Sequence, residues 1–115
     1  VGESKIYDTS AIIELAGGHR EGTLCIDNNF IEYPPAVGYA ENILYPTRRD
    51  YNLAIAWQSK LRALGSPLPA TDLVIAAQAV NNNMVLVAMV LVARDKHFKT
   101  LKETVAGNLQ LEMLG

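Results

Sequence analysis

The sequence predicts an α/β domain of three layers, α/β/α, with a central, mostly parallel sheet. Three observations predict it. Short apolar runs of β type alternate along the chain with longer segments of helical period, the order that builds a parallel sheet. The run Met84–Ala93 is apolar throughout, without the alternation of a half-exposed strand, so it predicts a strand buried on both faces. The 115 residues, half of them hydrophobic and 19% charged, supply one core and not two, so residues 1–115 are expected to form a single domain.

The elements follow in order. Lys5–Tyr7 is a short extended stretch that ends at Asp8. Asp8-Thr9-Ser10 offers three helix-capping side chains, Ala11, Ile12, Leu15 and Ala16 follow at helical spacing, and Gly17-Gly18 stops the helix. Thr23–Ile26 is a second apolar run. Asp27-Asn28-Asn29 then caps a segment carrying Glu32, Pro34-Pro35 breaks or restarts it, and residues 36–41 continue as a new helix. Ile43–Tyr45 reads as a brief strand or connector. Thr47-Arg48-Arg49-Asp50 is a helix start of capping-box type with Asp in place of Glu. Tyr51, Ala54, Ile55, Trp57, Leu61 and Leu64 give that helix an apolar face, and Gly65 and Pro67 end it. The next helix opens at Pro69-Ala70-Thr71-Asp72 and closes at Asn81-Asn82-Asn83. After the strand 84–93 come Arg94-Asp95, a last helix over Lys96–Thr104, and an edge strand over Leu109–Leu114. Within the long run, Met84-Val85-Leu86-Val87-Ala88 is repeated at once as Met89-Val90-Leu91-Val92-Ala93. An insertion of five is odd and would move side chains between sheet faces. The strand is therefore extended, or one copy is taken up in a bulge or loop.

Composition removes several classes of function. The single cysteine, Cys25, makes neither an internal disulfide nor a Cys-rich zinc site, and it fits a reducing cytosol. No apolar run approaches the ~20 residues that cross a bilayer, and no signal peptide opens the sequence. A cytoplasmic protein without a membrane partner is expected. The net charge of −2 at first opposes nucleic-acid binding.

Four acids occupy special places. Asp8 follows the first strand, Asp95 follows the long apolar run, and Asp72 and Glu32 sit near helix starts. In open α/β sheets the site forms beyond the carboxyl ends of the strands, which would gather Asp8, Asp72 and Asp95. Carboxylates brought close repel one another. A divalent cation resolves the conflict, and hard oxygen ligands suit Mg²⁺ or Mn²⁺. Such a cation can activate water and stabilise charge on a phosphate. Each acid alone has a plainer role. Asp8 and Asp72 can serve as helix-start acids, Glu32 as a solvated surface acid, and Asp95 as a turn residue with a local ion pair. The inference rests on the set.

At this point the sequence resembles a known family. Ile6-Tyr7-Asp8-Thr9-Ser10-Ala11 is similar to the opening motif of PIN domains. Pro69-Ala70-Thr71-Asp72-Leu73-Val74-Ile75-Ala76-Ala77 is similar to their central motif, the most specific of the set. Leu91-Val92-Ala93-Arg94-Asp95-Lys96-His97-Phe98 resembles the closing motif, and Ile31-Glu32-Tyr33-Pro34-Pro35 a variant of the second. The resemblance runs from about residue 5 to residue 113. It implies a PIN-like fold and a metal-dependent endoribonuclease, in VapC-type members a toxin held by an antitoxin and paired as a homodimer. It implies catalytic roles for Asp8, Glu32, Asp72 and Asp95, with Asp8, Asp72 and Asp95 as metal ligands and Mg²⁺ or Mn²⁺ as cofactor. Glu41 competes with Glu32 for the second place. Many relatives carry another acid two residues after Asp95. This chain has His97 there, which leaves the number of metals, one or two, open. Thr9 and Ser10 can hold water or a phosphate oxygen, or can cap the helix.

Setting the four acids aside leaves a net charge of +2 over the remainder. Arg48, Arg49, Lys60, Arg62, Arg94, Lys96 and Lys99 are the candidate RNA contacts. His97 can protonate a leaving group or be a hydrogen-bonded surface histidine, and His19 reads as a loop residue. Tyr33, Tyr39, Tyr45 and Trp57 can stack bases or belong to the core or to a dimer interface in the Tyr33 to Trp57 region. Three other functions remain beside the toxin: a receiver-like phosphoacceptor domain with Asp8 as acceptor, a PIN-like RNA-processing nuclease, and a catalytically weak binding module.

Overall fold

A computed structural model of the protein describes residues 5–7, 24–26, 42–89 and 95–114. Five strands and three helices lie within them: β1 (Lys5–Tyr7), β2 (Leu24–Ile26), β3 (Asn42–Ile43), α1 (Arg48–Ala63), α2 (Ala70–Asn81), β4 (Val85–Met89), α3 (Asp95–Thr104) and β5 (Gln110–Leu114). The strands pair in the order β3-β2-β1-β4-β5, and every pairing is parallel. The parallel α/β architecture predicted from the alternation of periods is therefore present. The order also removes the receiver-like alternative, because that fold runs 2-1-3-4-5.

The expected helix after Asp8, the helical segments over 27–41, and residues 90–94 lie outside the described residues. The first copy of the five-residue duplication supplies β4 and its core positions. Met84, Leu86 and Ala88 join the cluster that also holds Ile6, Phe98 and Leu101. Leu86 lies between Ile6 and Leu111 in register, so one apolar row crosses three strands on the face that belongs to this cluster. Val87 alternates to the other face and is also fully buried. Burial on both faces is what the unbroken apolar run predicted. On that second face Lys5 reaches past β4 to Glu112 at 3.2 Å, tying β1 to the edge strand β5.

Helices α1 and α2 form an antiparallel hairpin. Thr47 caps α1, its hydroxyl accepting from the Asp50 backbone N–H at 3.4 Å. Asp50 Oδ2 in return accepts from the Thr47 backbone N–H at 2.8 Å, the reciprocal box the sequence predicted. Asp50 is buried and does more than cap. Its second oxygen, Oδ1, accepts from Asn81 Nδ2 at 2.8 Å, joining the start of α1 to the end of α2. At the other end of the hairpin the Gln58 amide clasps the connecting loop, donating to Leu68 O at 2.6 Å and accepting from Leu68 N at 3.1 Å. Gly65, with φ +80°, makes the reversal after α1, a backbone state open to glycine at little cost.

The predicted apolar face of α1 divides in two. Ala54, Trp57 and Leu61 are buried, whereas Tyr51, Ile55 and Leu64 are 48, 67 and 63% exposed. An outer helix touches its neighbour along one narrow seam, here Ala54, Trp57 and Leu61 at spacings of three and four. Residues one position off that seam stay outside. Tyr51, Ile55, Gln58, Ala70, Leu73 and Val74 line a groove of about 230 Å³ between the two helices.

Candidate functional site

The strand order reverses direction at β1. From it the chain steps outward through β2 to β3 on one side, and later through β4 to β5 on the other. Connections leave adjacent strands in opposite directions at such a point, and a crevice opens beyond their carboxyl ends. Here that crevice lies at the ends of β1 and β4. Asp8 follows Tyr7, the last residue of β1, directly in sequence, although Asp8 itself lies outside the described residues. Helix α2 runs back to the start of β4, so its first turn stands at the same carboxyl edge. Helix α3 comes after β4 and begins there too.

Asp72 is the third residue of α2 and 1% exposed. The helix cap is Pro69, which makes no side-chain cap bond, so Asp72 is not the N-cap. Its Oδ2 lies 2.8 Å from Nδ1 of His97, the third residue of α3. With the carboxylate ionised it can only accept, and the proton of the bond is then on Nδ1. The contact joins the first turns of two helices. Both N-termini direct positive dipole ends at this spot, which favours the acid there and any anionic group brought to it. A carboxylate this deeply buried is costly unless charge and hydrogen bonds compensate it.

Asp95 is the first residue of α3, so it opens the last helix, and among the described residues β4 ends earlier, at Met89. Lys96 and Lys99 on the same helix are exposed, and His97 is half-exposed. Asp8, Thr9, Ser10, Glu32, Glu41 and Arg94 lie outside the described residues, as do His19, Tyr33 and Tyr39. Among the described residues no three His, Cys, Asp or Glu side chains converge as a metal-binding group. Asp72 and His97 form a pair.

The fold sorts the basic candidates. The Asp50–Asn81 bond fixes Arg48 and Arg49 at the end of the hairpin remote from Asp72. The 12 residues of α2 separate the two ends by ~18 Å. Lys60 and Arg62, in the last turn of α1, stand at the same end as Asp72, and Lys96 and Lys99 on α3 begin at that edge. Trp57 is 4% exposed and belongs to the core, so it neither stacks a base nor forms a dimer surface. Tyr45 is 70% exposed. The sequence offered His97 as a proton donor or a hydrogen-bonded histidine. Its partner, Asp72, lies 25 residues away along the chain, and no local signal in the sequence names it.

No protein-family model matches the sequence, and no curated protein matches it. Solved structures do. A chain of the VapBC-1 structure from nontypeable Haemophilus influenzae superposes with a TM-score of 0.67 at 19% identity, over 95% of this chain and 96% of that one. A chain of the VapBC2 structure from Rickettsia felis, bound to a DNA fragment from their promoter, gives 0.64 at 19% identity, over 96% and 98%. The chain thus has the PIN-like α/β/α fold over nearly its whole length. No helix among the described residues is long and apolar enough to cross a membrane.

Proposed function

We propose that this protein is a metal-dependent endoribonuclease of the VapC toxin type, which hydrolyses RNA phosphodiesters at the carboxyl edge of its sheet. The observation that carries the proposal is the buried Asp72 carboxylate at the switch point, where the N-termini of α2 and α3 meet. The similarity in fold to two VapBC structures supports it.

The donor chemistry fits a hard cation. Asp72 offers carboxylate oxygen at a buried position that calls for positive charge. In this proposal Asp8, Asp72 and Asp95 hold Mg²⁺ or Mn²⁺, with Glu32, or Glu41 in its stead, as the fourth acid. When bound, such a cation supplies positive charge at the scissile phosphate and activates water for in-line displacement. Thr9 and Ser10 orient water or a phosphate oxygen, and Arg94 and Lys96 hold the RNA backbone. The helix N-termini add fixed partial charge where the phosphate sits.

The partners proposed are RNA, a cognate antitoxin and a second copy of the chain, in the cytoplasm. Exposed apolar side chains in the α1 region, Tyr45, Tyr51 and Ile55, support a homodimer contact there. The test of activity is cleavage of a mixed RNA substrate with Mg²⁺ or Mn²⁺. Cleavage is expected, and is expected to stop with a chelator or with Asp72→Asn. Undiminished cleavage by the folded Asp72→Asn protein would overturn the assignment.

A further inference from the structure

We propose that His97 is a positioning residue for Asp72: its Nδ1–H fixes the rotation of the Asp72 carboxylate and so sets the affinity of the site for a divalent cation. The inference rests on the metal-site reading above and adds to it a residue with no part in that ligand set. Three observations carry it. The bond is short, 2.8 Å between His97 Nδ1 and Asp72 Oδ2. The acceptor is buried while the histidine side chain is 36% exposed, so the bond runs from a half-exposed ring to a buried carboxylate. The donor is anchored, because the next residue, Phe98, is fully buried in the core and holds the first turn of α3 in place.

A carboxylate can turn about its last bond and swap oxygens. A donor fixed to one oxygen removes that freedom, and the other oxygen is then held in one direction. Metal-binding carboxylates held this way bind better, and loss of such an outer partner typically costs roughly 10–100-fold in metal affinity. The nitrogen engaged is Nδ1, the one nearer the backbone. Asparagine can offer an N–H at about that reach, whereas glutamine extends one methylene further, toward where Nε2 stands. Among the described residues Nε2 has no hydrogen-bond partner. A direct ligand through Nε2 is therefore the competing role, and the two amides separate it from positioning.

The experiment measures Mn²⁺ binding to the whole protein by electron paramagnetic resonance of the free ion. Wild type is compared with His97→Ala, His97→Asn and His97→Gln, and each variant's thermal midpoint is measured in chelator. The expected result is binding by the wild type, a loss of roughly 10–100-fold for His97→Ala and for His97→Gln, and affinity near wild type for His97→Asn. Should His97→Ala fail to fold, the contrast of Asn with Gln decides. Unchanged affinity in a destabilised His97→Ala would make the bond purely structural and overturn the inference. So would rescue by Gln and not Asn, or a histidine-nitrogen coupling in the bound Mn²⁺ spectrum that His97→Asn removes, either of which would make His97 a ligand. In those cases the metal site itself survives. No Mn²⁺ binding by the wild type would remove both.

Discussion

Asp72 carries two demands at once. It is a first-turn acid, a place that the helix dipole favours, and it is buried beside a histidine from another helix. A residue present only to start a helix would tolerate amide replacement with little consequence beyond a few tenths of a kcal/mol. Asp72→Asn keeps the shape of the side chain, so the protein is expected to fold with a melting midpoint near that of wild type. Metal-dependent RNA cleavage is expected to fall by roughly 100-fold or more, the scale on which removing one group that stabilises developing charge acts. Circular dichroism and a cleavage assay on the same preparation check both halves. The place of Asp72 at the head of an apolar helix was legible in the sequence. Its partner was not. His97 is 25 residues away along the chain, and only the packing of α2 against α3 brings the two together.

The α1–α2 hairpin is set by polar contacts at its two ends. Asp50 satisfies the α1 cap with one oxygen and Asn81 with the other. Asp50→Ala removes both and leaves the Asn81 amide and the cap N–H without their partner. A loss of about 1–3 kcal/mol is expected, read as a lower urea midpoint at unchanged slope. The capping box could be read from Thr47 and Asp50, since the two are three positions apart. The tie to Asn81 could not, because nothing local announces it. The same limit explains α1's apolar face. Periodicity finds the apolar residues but cannot tell which of two adjacent stripes the neighbour covers. Ile55, 67% exposed, is on the uncovered one. Ile55→Asp is expected to change stability by no more than ~0.5 kcal/mol while halving the sedimenting mass of the proposed homodimer.

At the scale of the molecule, topology decides which charges stand near Asp72. The hairpin leaves Arg48 and Arg49 at one end, and Lys60 and Arg62 at the end of Asp72. Substituting Lys60, Arg62, Lys96 and Lys99 by Glu is expected to weaken RNA binding and flatten its dependence on salt, the slope falling by roughly one unit for each phosphate no longer neutralised. The same change at Arg48 and Arg49 is expected to do much less to either quantity. Fluorescence anisotropy over a salt series distinguishes the two sets. The sequence already set Lys96 and Lys99 beside Asp95 and gave Arg48 and Arg49 the plainer role of solvating a helix start, but the end at which Lys60 and Arg62 stand could not be read from charge counts. The parallel sheet was legible from the alternation of periods, and the crevice from the rule that sites lie beyond carboxyl strand ends. Periodicity assigns both copies of Met-Val-Leu-Val-Ala to one strand; the first supplies β4 as far as it is described, and residues 90–94 lie outside the described residues.

In the proposed site, acids from separate parts of the chain meet at the edge marked by Asp72 and bind a divalent cation there. Isothermal titration of Mn²⁺ into the wild type and into Asp8→Ala tests this most directly, because Asp8 follows β1 and Asp72 opens α2. Saturable binding by the wild type, abolished in Asp8→Ala, is the expected result. Binding by neither protein, or equal binding by both, would contradict it.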